Sequence, residues 1–218
     1  MATPPSAAEL SPRQLAAQLV IPVFDLRPER VDDLDAEWAR AAAYAEDGFG
    51  GLILFGGDRE TLGERLEAVK AKAPVPMLVG ADIERGVAQQ VGGARVQPPA
   101  MALGAADSEA LAEEAGRALA AEALSLGIDW VLGPVLDLAD EPLNPIVGTR
   151  AFSADPARVA ALGAAYIRGI ESTGALACAK HFPGHGGTLG DSHDSLPVVE
   201  RSAEQLRAAD LVPFRAAI

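Results

Sequence analysis

Every histidine of this sequence lies in one stretch, Ala179-Lys180-His181-Phe182-Pro183-Gly184-His185-Gly186-Gly187-Thr188-Leu189-Gly190-Asp191-Ser192-His193. Asp191 and His193 stand two residues apart on a segment too glycine-rich for a core. A carboxylate so placed can bond one imidazole nitrogen, fix the tautomer and raise the basicity of the other nitrogen. That suits general acid/base chemistry. A solvated loop histidine fits the same two residues, so the pair alone leaves both readings open. Lys180 and His181 follow an apolar run, Ala175 to Ala179, and could contact a bound polar ligand, as could Arg150. A surface charge is the plain alternative for a lone lysine or arginine. The exit of a buried strand favours a partnered one, because a charge there needs a counter-charge.

Other chemistries fit less well. His181 and His185 have the four-residue spacing of metal ligands on a helix, but Pro183 and Gly184 between them prevent a helix. With three histidines and one cysteine the ligand supply is poor, and no metal or cofactor is expected. Gly184 to Thr188 lacks the lysine and hydroxyl ending of a phosphate loop. Cys178, the single cysteine, sits among alanines and is expected to be a buried small hydrophobe.

The elements that must carry these residues alternate. Apolar strands are expected at 20–24, 51–55, 76–82, 129–136 and 175–179. Helices are expected at 11–19, 32–46, 59–72, 108–126 and 155–172, with a last one opening at the capping-box pattern Ser202-Ala203-Glu204-Gln205. Long polar loops follow the third and fourth strands. Continuous apolar strands alternating with helices mean a parallel sheet covered by helices. A doubly wound sheet and a (β/α)8 barrel both satisfy this. The turn after the first strand, Asp25-Leu26-Arg27-Pro28-Glu29-Arg30, has none of the glycines of a dinucleotide fingerprint. The barrel alone puts its chemistry at successive strand ends. Asp82 ends the third strand, Asp137 follows the fourth, and Lys180 and His181 end the fifth. The expected fold is an α/β barrel of TIM type with about five βα units present.

Composition sets the partners. The 218 residues are 49% apolar but only 5% aromatic, so the core must be mostly aliphatic. The net charge of −13 argues against nucleic acid and anionic membrane surfaces. No apolar run reaches the roughly 18 residues of a membrane span, and no secretory signal is visible. The chain reads as cytoplasmic. It is expected to be one domain over 1–218, with 1–10 as a flexible tail.

Taken together, these residues resemble glycoside hydrolase family 3, in its β-N-acetylglucosaminidase branch. The resemblance rests on Lys180-His181-Phe182-Pro183-Gly184-His185-Gly186 with Asp191-Ser192-His193 downstream. It is supported by Asp82-Ile83-Glu84-Arg85-Gly86, Pro98-Pro99-Ala100-Met101-Ala102-Leu103-Gly104 and Val147-Gly148-Thr149-Arg150-Ala151-Phe152, and covers nearly the whole chain. It implies a retaining glycosidase on a barrel, acting on a small carbohydrate substrate without a cofactor. Asp82, Arg150, Lys180 and His181 match the family's sugar-hydroxyl ligands. His193 matches its acid/base histidine and Asp191 the partner of that histidine, where most retaining glycosidases use two carboxyl groups. His185 is expected to shape the loop. Gln90 stands where many relatives carry an arginine, and Gly187 where an aspartate is frequent.

A full barrel takes about 250 residues. The sequence is therefore expected to hold an incomplete barrel, completed by a missing C-terminal segment or a partner chain. No residue matches the family's nucleophilic aspartate, and Asp210 is expected on a solvated helix face. The implied function is retaining hydrolysis of terminal β-linked N-acetylglucosamine, as in peptidoglycan recycling, with this chain inactive alone. The alternatives are a non-catalytic carbohydrate-binding or subunit protein and a β-glucosidase of the same family.

Overall fold

The computed structural model describes residues 5–188 and 196–218. Among these, strands β1 (Val23–Asp25), β2 (Gly51–Phe55), β3 (Leu78–Ala81), β4 (Trp130–Val131) and β5 (Leu176–Ala177) form one parallel sheet. Their order in the sheet is their order in the chain. That decides between the two architectures. A doubly wound sheet reverses its strand order at a switch point, whereas a barrel lays each strand beside the last. The sheet is of the barrel type and is open, since β1 and β5 do not pair with each other.

The helices are α1 (Pro12–Gln18), α2 (Leu34–Glu46), α3 (Leu62–Lys70), α4 (Ala100–Ala106), α5 (Glu109–Ser125), α6 (Pro156–Glu171), α7 (Ala203–Ala208) and α8 (Leu211–Ala217). Caps written in the sequence start several of them. Ser11 and Gln14 form a reciprocal capping box on α1. Asp33 accepts from the backbone N–H of Asp35 and Ala36 on α2, and Ser108 from Leu111 N–H on α5. Asp155 caps α6 with Pro156 at its first position. Each cap satisfies a donor that has no partner inside the helix.

The inner strands β2 and β3 are buried because their apolar runs are covered by helices, while the edge strands β1 and β5 leave Val23 and Leu176 exposed. Leu52, Leu54, Val79 and Ala81 have no exposed surface. They share one aliphatic core with Leu119, Ile128, Leu136, Leu162 and Ile170. Helices α5 and α6 meet backbone to backbone. A Cβ at Gly116 would lie 2.2 Å from the Tyr166 carbonyl oxygen, and one at Gly169 would lie 2.0 Å from that of Glu113. Any side chain at either position would force the pair apart.

Several elements differ from expectation. Val20 donates its N–H to Ala17 O and so closes α1 instead of opening β1. β4 stops at Val131, because Gly133 turns back on Val131 O and Pro134 has no N–H to give. Pairing resumes beyond it, with Leu136 N donating to Lys180 O at 2.6 Å and a bridge from Val135 to Lys180. The long polar loop after β3 contains α4, which Asp107 stops in a left-handed conformation (φ 49°). The last helix is two. Pro213 cannot donate back to Ala209, so the helix breaks at Ala209 and restarts with Pro213 in the first turn of α8. Cys178 is half-buried, not buried.

Candidate active site

Strand ends position the chemistry. Asp82 is the residue after β3, and Asp137 lies beyond β4 on the segment that pairs again past Pro134. Lys180 and His181 follow β5. Arg150 closes a short 3-10 turn, Gly148–Arg150, on the long loop after β4. The four residues expected to hold sugar, Asp82, Arg150, Lys180 and His181, line one open cavity of about 600 Å³ together with Glu84 and His185. Asp191 and His193 lie outside the described residues.

Opposite charges alternate across the cavity floor. The Lys180 ammonium pairs with Asp82 and reaches Glu84 Oε1 at 2.7 Å. Arg150 holds Glu84 with two prongs, Nε to Oε2 at 2.8 Å and Nη2 to Oε1 at 2.7 Å. Burial of the Glu84 side chain by itself would raise its pKa. The Arg150 and Lys180 contacts outweigh that and hold the carboxyl at about 2. The Glu84 hydrogen bond raises the pKa of Arg150 in turn, against its burial. Lys180 and Arg150 are thus fixed cations with their stems packed away, and a ligand hydroxyl meets donors already oriented.

His181 is oriented from both sides. Its Nδ1 lies 2.5 Å from Asp137 Oδ2, and its Nε2 lies 3.3 Å from Arg150 Nη2. A guanidinium can only donate, so Nε2 accepts and Nδ1 carries the proton toward Asp137. Asp137 is 1% exposed and also accepts from the backbone N–H of His185 at 2.7 Å. One buried carboxylate therefore sets both histidines.

Glu84 and Asp137 were not singled out as site residues. Glu84 had a signal: it stands two residues from Asp82 in an extended segment, where alternate side chains share a face. Asp137 showed only as a strand-end carboxylate. Gln90 ties two strand ends together, donating to Asp82 O at 3.1 Å and accepting from Gly56 N at 3.4 Å. Asp210 is not a solvated face residue. It is 1% exposed at the start of α8, and its Oδ2 accepts from Arg201 Nη1 at 2.5 Å. Arg201 also pairs with Asp140 and lies over Gly187, where a Cβ would sit 3.1 Å from Nη2. Among the described residues, no group of three His, Cys, Asp or Glu is placed to hold a metal ion.

The profile of the Glycosyl hydrolase family 3 N terminal domain matches residues 16–218. The chain belongs to glycosyl hydrolase family 3. Curated relatives that it resembles are named beta-hexosaminidases. It is 42% identical over 176 residues to a beta-hexosaminidase of Thiobacillus denitrificans, covering 76% of this chain and 49% of the relative. It is 42% identical over 170 residues to a beta-hexosaminidase of Pseudomonas aeruginosa, covering 76% and 51%. The chain thus spans about half the length of the curated relatives it matches. Among solved structures, a family 3 beta-N-acetylglucosaminidase from a Paenibacillus species superposes with a TM-score of 0.85 at 36% identity, over 96% of this chain and 40% of that one. NagZ from Neisseria gonorrhoeae, in complex with N-trifluoroacetyl-D-glucosamine, gives 0.75 at 33% identity, over 90% and 59%.

Proposed function

We propose that the cavity is the sugar subsite of a retaining β-N-acetylhexosaminidase that releases terminal β-linked N-acetylglucosamine from glycans or peptidoglycan fragments. The observation that carries this reading is the convergence of Asp82, Arg150, Lys180 and His181 on one cavity. Such a set of fixed donors and acceptors suits a ring of hydroxyls. Kinship to beta-hexosaminidases at 42% identity supports the branch.

In this reading His193 protonates the leaving glycosidic oxygen while Asp191 orients it and stabilises its charge. A carboxylate attacks the anomeric carbon, and the C–O bond to the aglycone breaks as the new one forms. His193 then takes a proton from water, which displaces the carboxylate and restores the β configuration. No carboxylate in the described cavity is free for the attack. Asp82 is bound by Lys180, and Glu84 by Lys180 and Arg150. The reading takes the nucleophile from beyond the described cavity, in line with the family resemblance, which matches no residue here to the nucleophilic aspartate. It places the reaction in cytoplasmic peptidoglycan recycling, on a small carbohydrate and without nucleic acid or membrane as partner.

The test uses residues 1–218, N-acetylglucosamine, glucose and 4-nitrophenyl β-N-acetylglucosaminide. Saturable binding of N-acetylglucosamine in preference to glucose, without release of 4-nitrophenol, is expected. Preference for glucose would move the chain to the β-glucosidase reading. Turnover that disappears in His193→Ala would overturn the placement of the nucleophile.

A further inference from the structure

The two walls of the cavity come from separate parts of the chain. One is the loop after β4, which contributes Ile146 and Arg150. The other is the segment after β5, which contributes Lys180, His181 and His185. We infer that Asn144, which belongs to neither set of sugar contacts, is the positioning residue that fixes the spacing of these walls. The inference rests on the sugar-site reading above.

Asn144 is 7% exposed, and its amide is used at both ends. Oδ1 accepts from the backbone N–H of Ile146 and of Val147, each at 2.8 Å. Those bonds fold the loop back on itself just before the turn that ends in Arg150, whose own N–H bonds Val147 O at 2.8 Å. Nδ2 points the other way. It donates to His185 O at 2.9 Å and Gly186 O at 3.1 Å, and lies 3.4 Å from Thr188 Oγ1. That hydroxyl is 2.6 Å from His185 Nδ1. One side chain therefore holds the arginine turn through its oxygen and the histidine segment through its nitrogen.

The chemistry of the two ends is not interchangeable. The oxygen meets only donors, and the nitrogen meets two carbonyl oxygens and a hydroxyl. An amide is the group that offers an acceptor and a two-proton donor back to back. The next residue, Pro145, has no N–H and so cannot compete for Oδ1. Glycine at position 186 lets the segment lie close, since a Cβ there would fall 2.0 Å from Leu138 O. Thr188 precedes Asp191 by three positions, so the staple also fixes the chain just ahead of the proposed acid/base pair.

Asn144→Asp and Asn144→Ala in residues 1–218 separate the two ends. The aspartate is isosteric and keeps the acceptor for Ile146 and Val147, but presents an oxygen to the carbonyls of His185 and Gly186. The readouts are thermal melting, the Arg150 Nε–H and His185 ring resonances in NMR spectra, and affinity for N-acetylglucosamine. Asn144→Asp is expected to leave the Arg150 resonance in place, move the His185 resonances and weaken sugar binding tenfold or more. Asn144→Ala is expected to move both sets. Unmoved His185 resonances in a folded Asn144→Asp overturn the inference, as does unchanged affinity beside moved ones. Failure of both variants to fold overturns it too, by making Asn144 part of the core. Absence of sugar binding by the unsubstituted protein would sink the sugar reading instead, and the resonances alone would then decide on Asn144.

Discussion

His181 and Asp137 are joined by a 2.5 Å contact between Nδ1 and Oδ2, and the carboxylate is wholly buried behind the ring. Nε2 of His181 is left as the acceptor facing Arg150 because Nδ1–H donates to Asp137. Asp137 also receives the backbone N–H of His181 and of His185. Asp137→Asn puts an amide where three donors converge. It is expected to lower affinity for N-acetylglucosamine at least tenfold. Asp137→Ala is expected to cost roughly 3 kcal/mol in denaturant unfolding, since three donors that converge on a buried carboxylate lose their partner.

Glu84 gives the protein a specific acid sensitivity. Its folded pKa, about 2, lies below its ordinary 4.5. A carboxyl depressed in this way stabilises the fold above the ordinary value and loses that contribution as pH falls from about 4.5 toward 2. The difference corresponds to about 3 kcal/mol. Glu84→Gln should be less stable at neutral pH by a similar amount and should lack this part of the decline. Denaturant melts at pH 6, 4 and 2.5 check it. Parallel declines in the two proteins would contradict the assignment.

The Asp140–Arg201–Asp210 cluster ties the segment after β4 to the start of α8. Asp210 is buried, so removing its cation leaves an unpaired charge in the interior. Arg201→Ala is expected to destabilise the chain by roughly 3 kcal/mol. Adding Asp210→Asn should recover much of that loss, because the charge needing the cation is gone. A double-mutant cycle in urea shows whether the two effects couple.

The sheet was legible because each strand lies in a continuous apolar run and several helices open on a written cap. Ser11, Ser108 and Asp155 stand where the helices begin. The place of Asp82, Lys180 and His181 at strand ends around one cavity was legible because strand exits are visible in a run of apolar residues. The rest depended on contacts across long separations, which periodicity does not carry. Glu84 is a site residue because Arg150, sixty-six positions away, closes on it. Asp137 matters because β5 brings His181 beside it. Asp210 looked like a helix-face residue because the helix expected there ran through Pro213, and Arg201 could not be seen to fold back onto it. α4 was missed because the prolines before it and Gly104 within it have the composition of a loop.

The central claim is that these side chains hold N-acetylglucosamine. It is tested most directly by titrating the sugar into labelled residues 1–218 and following the His181 ring and Arg150 Nε–H resonances. Saturable shifts centred on those two residues, abolished by Lys180→Met, are predicted. Saturable shifts confined to another face, or binding that Lys180→Met leaves intact, would contradict the account.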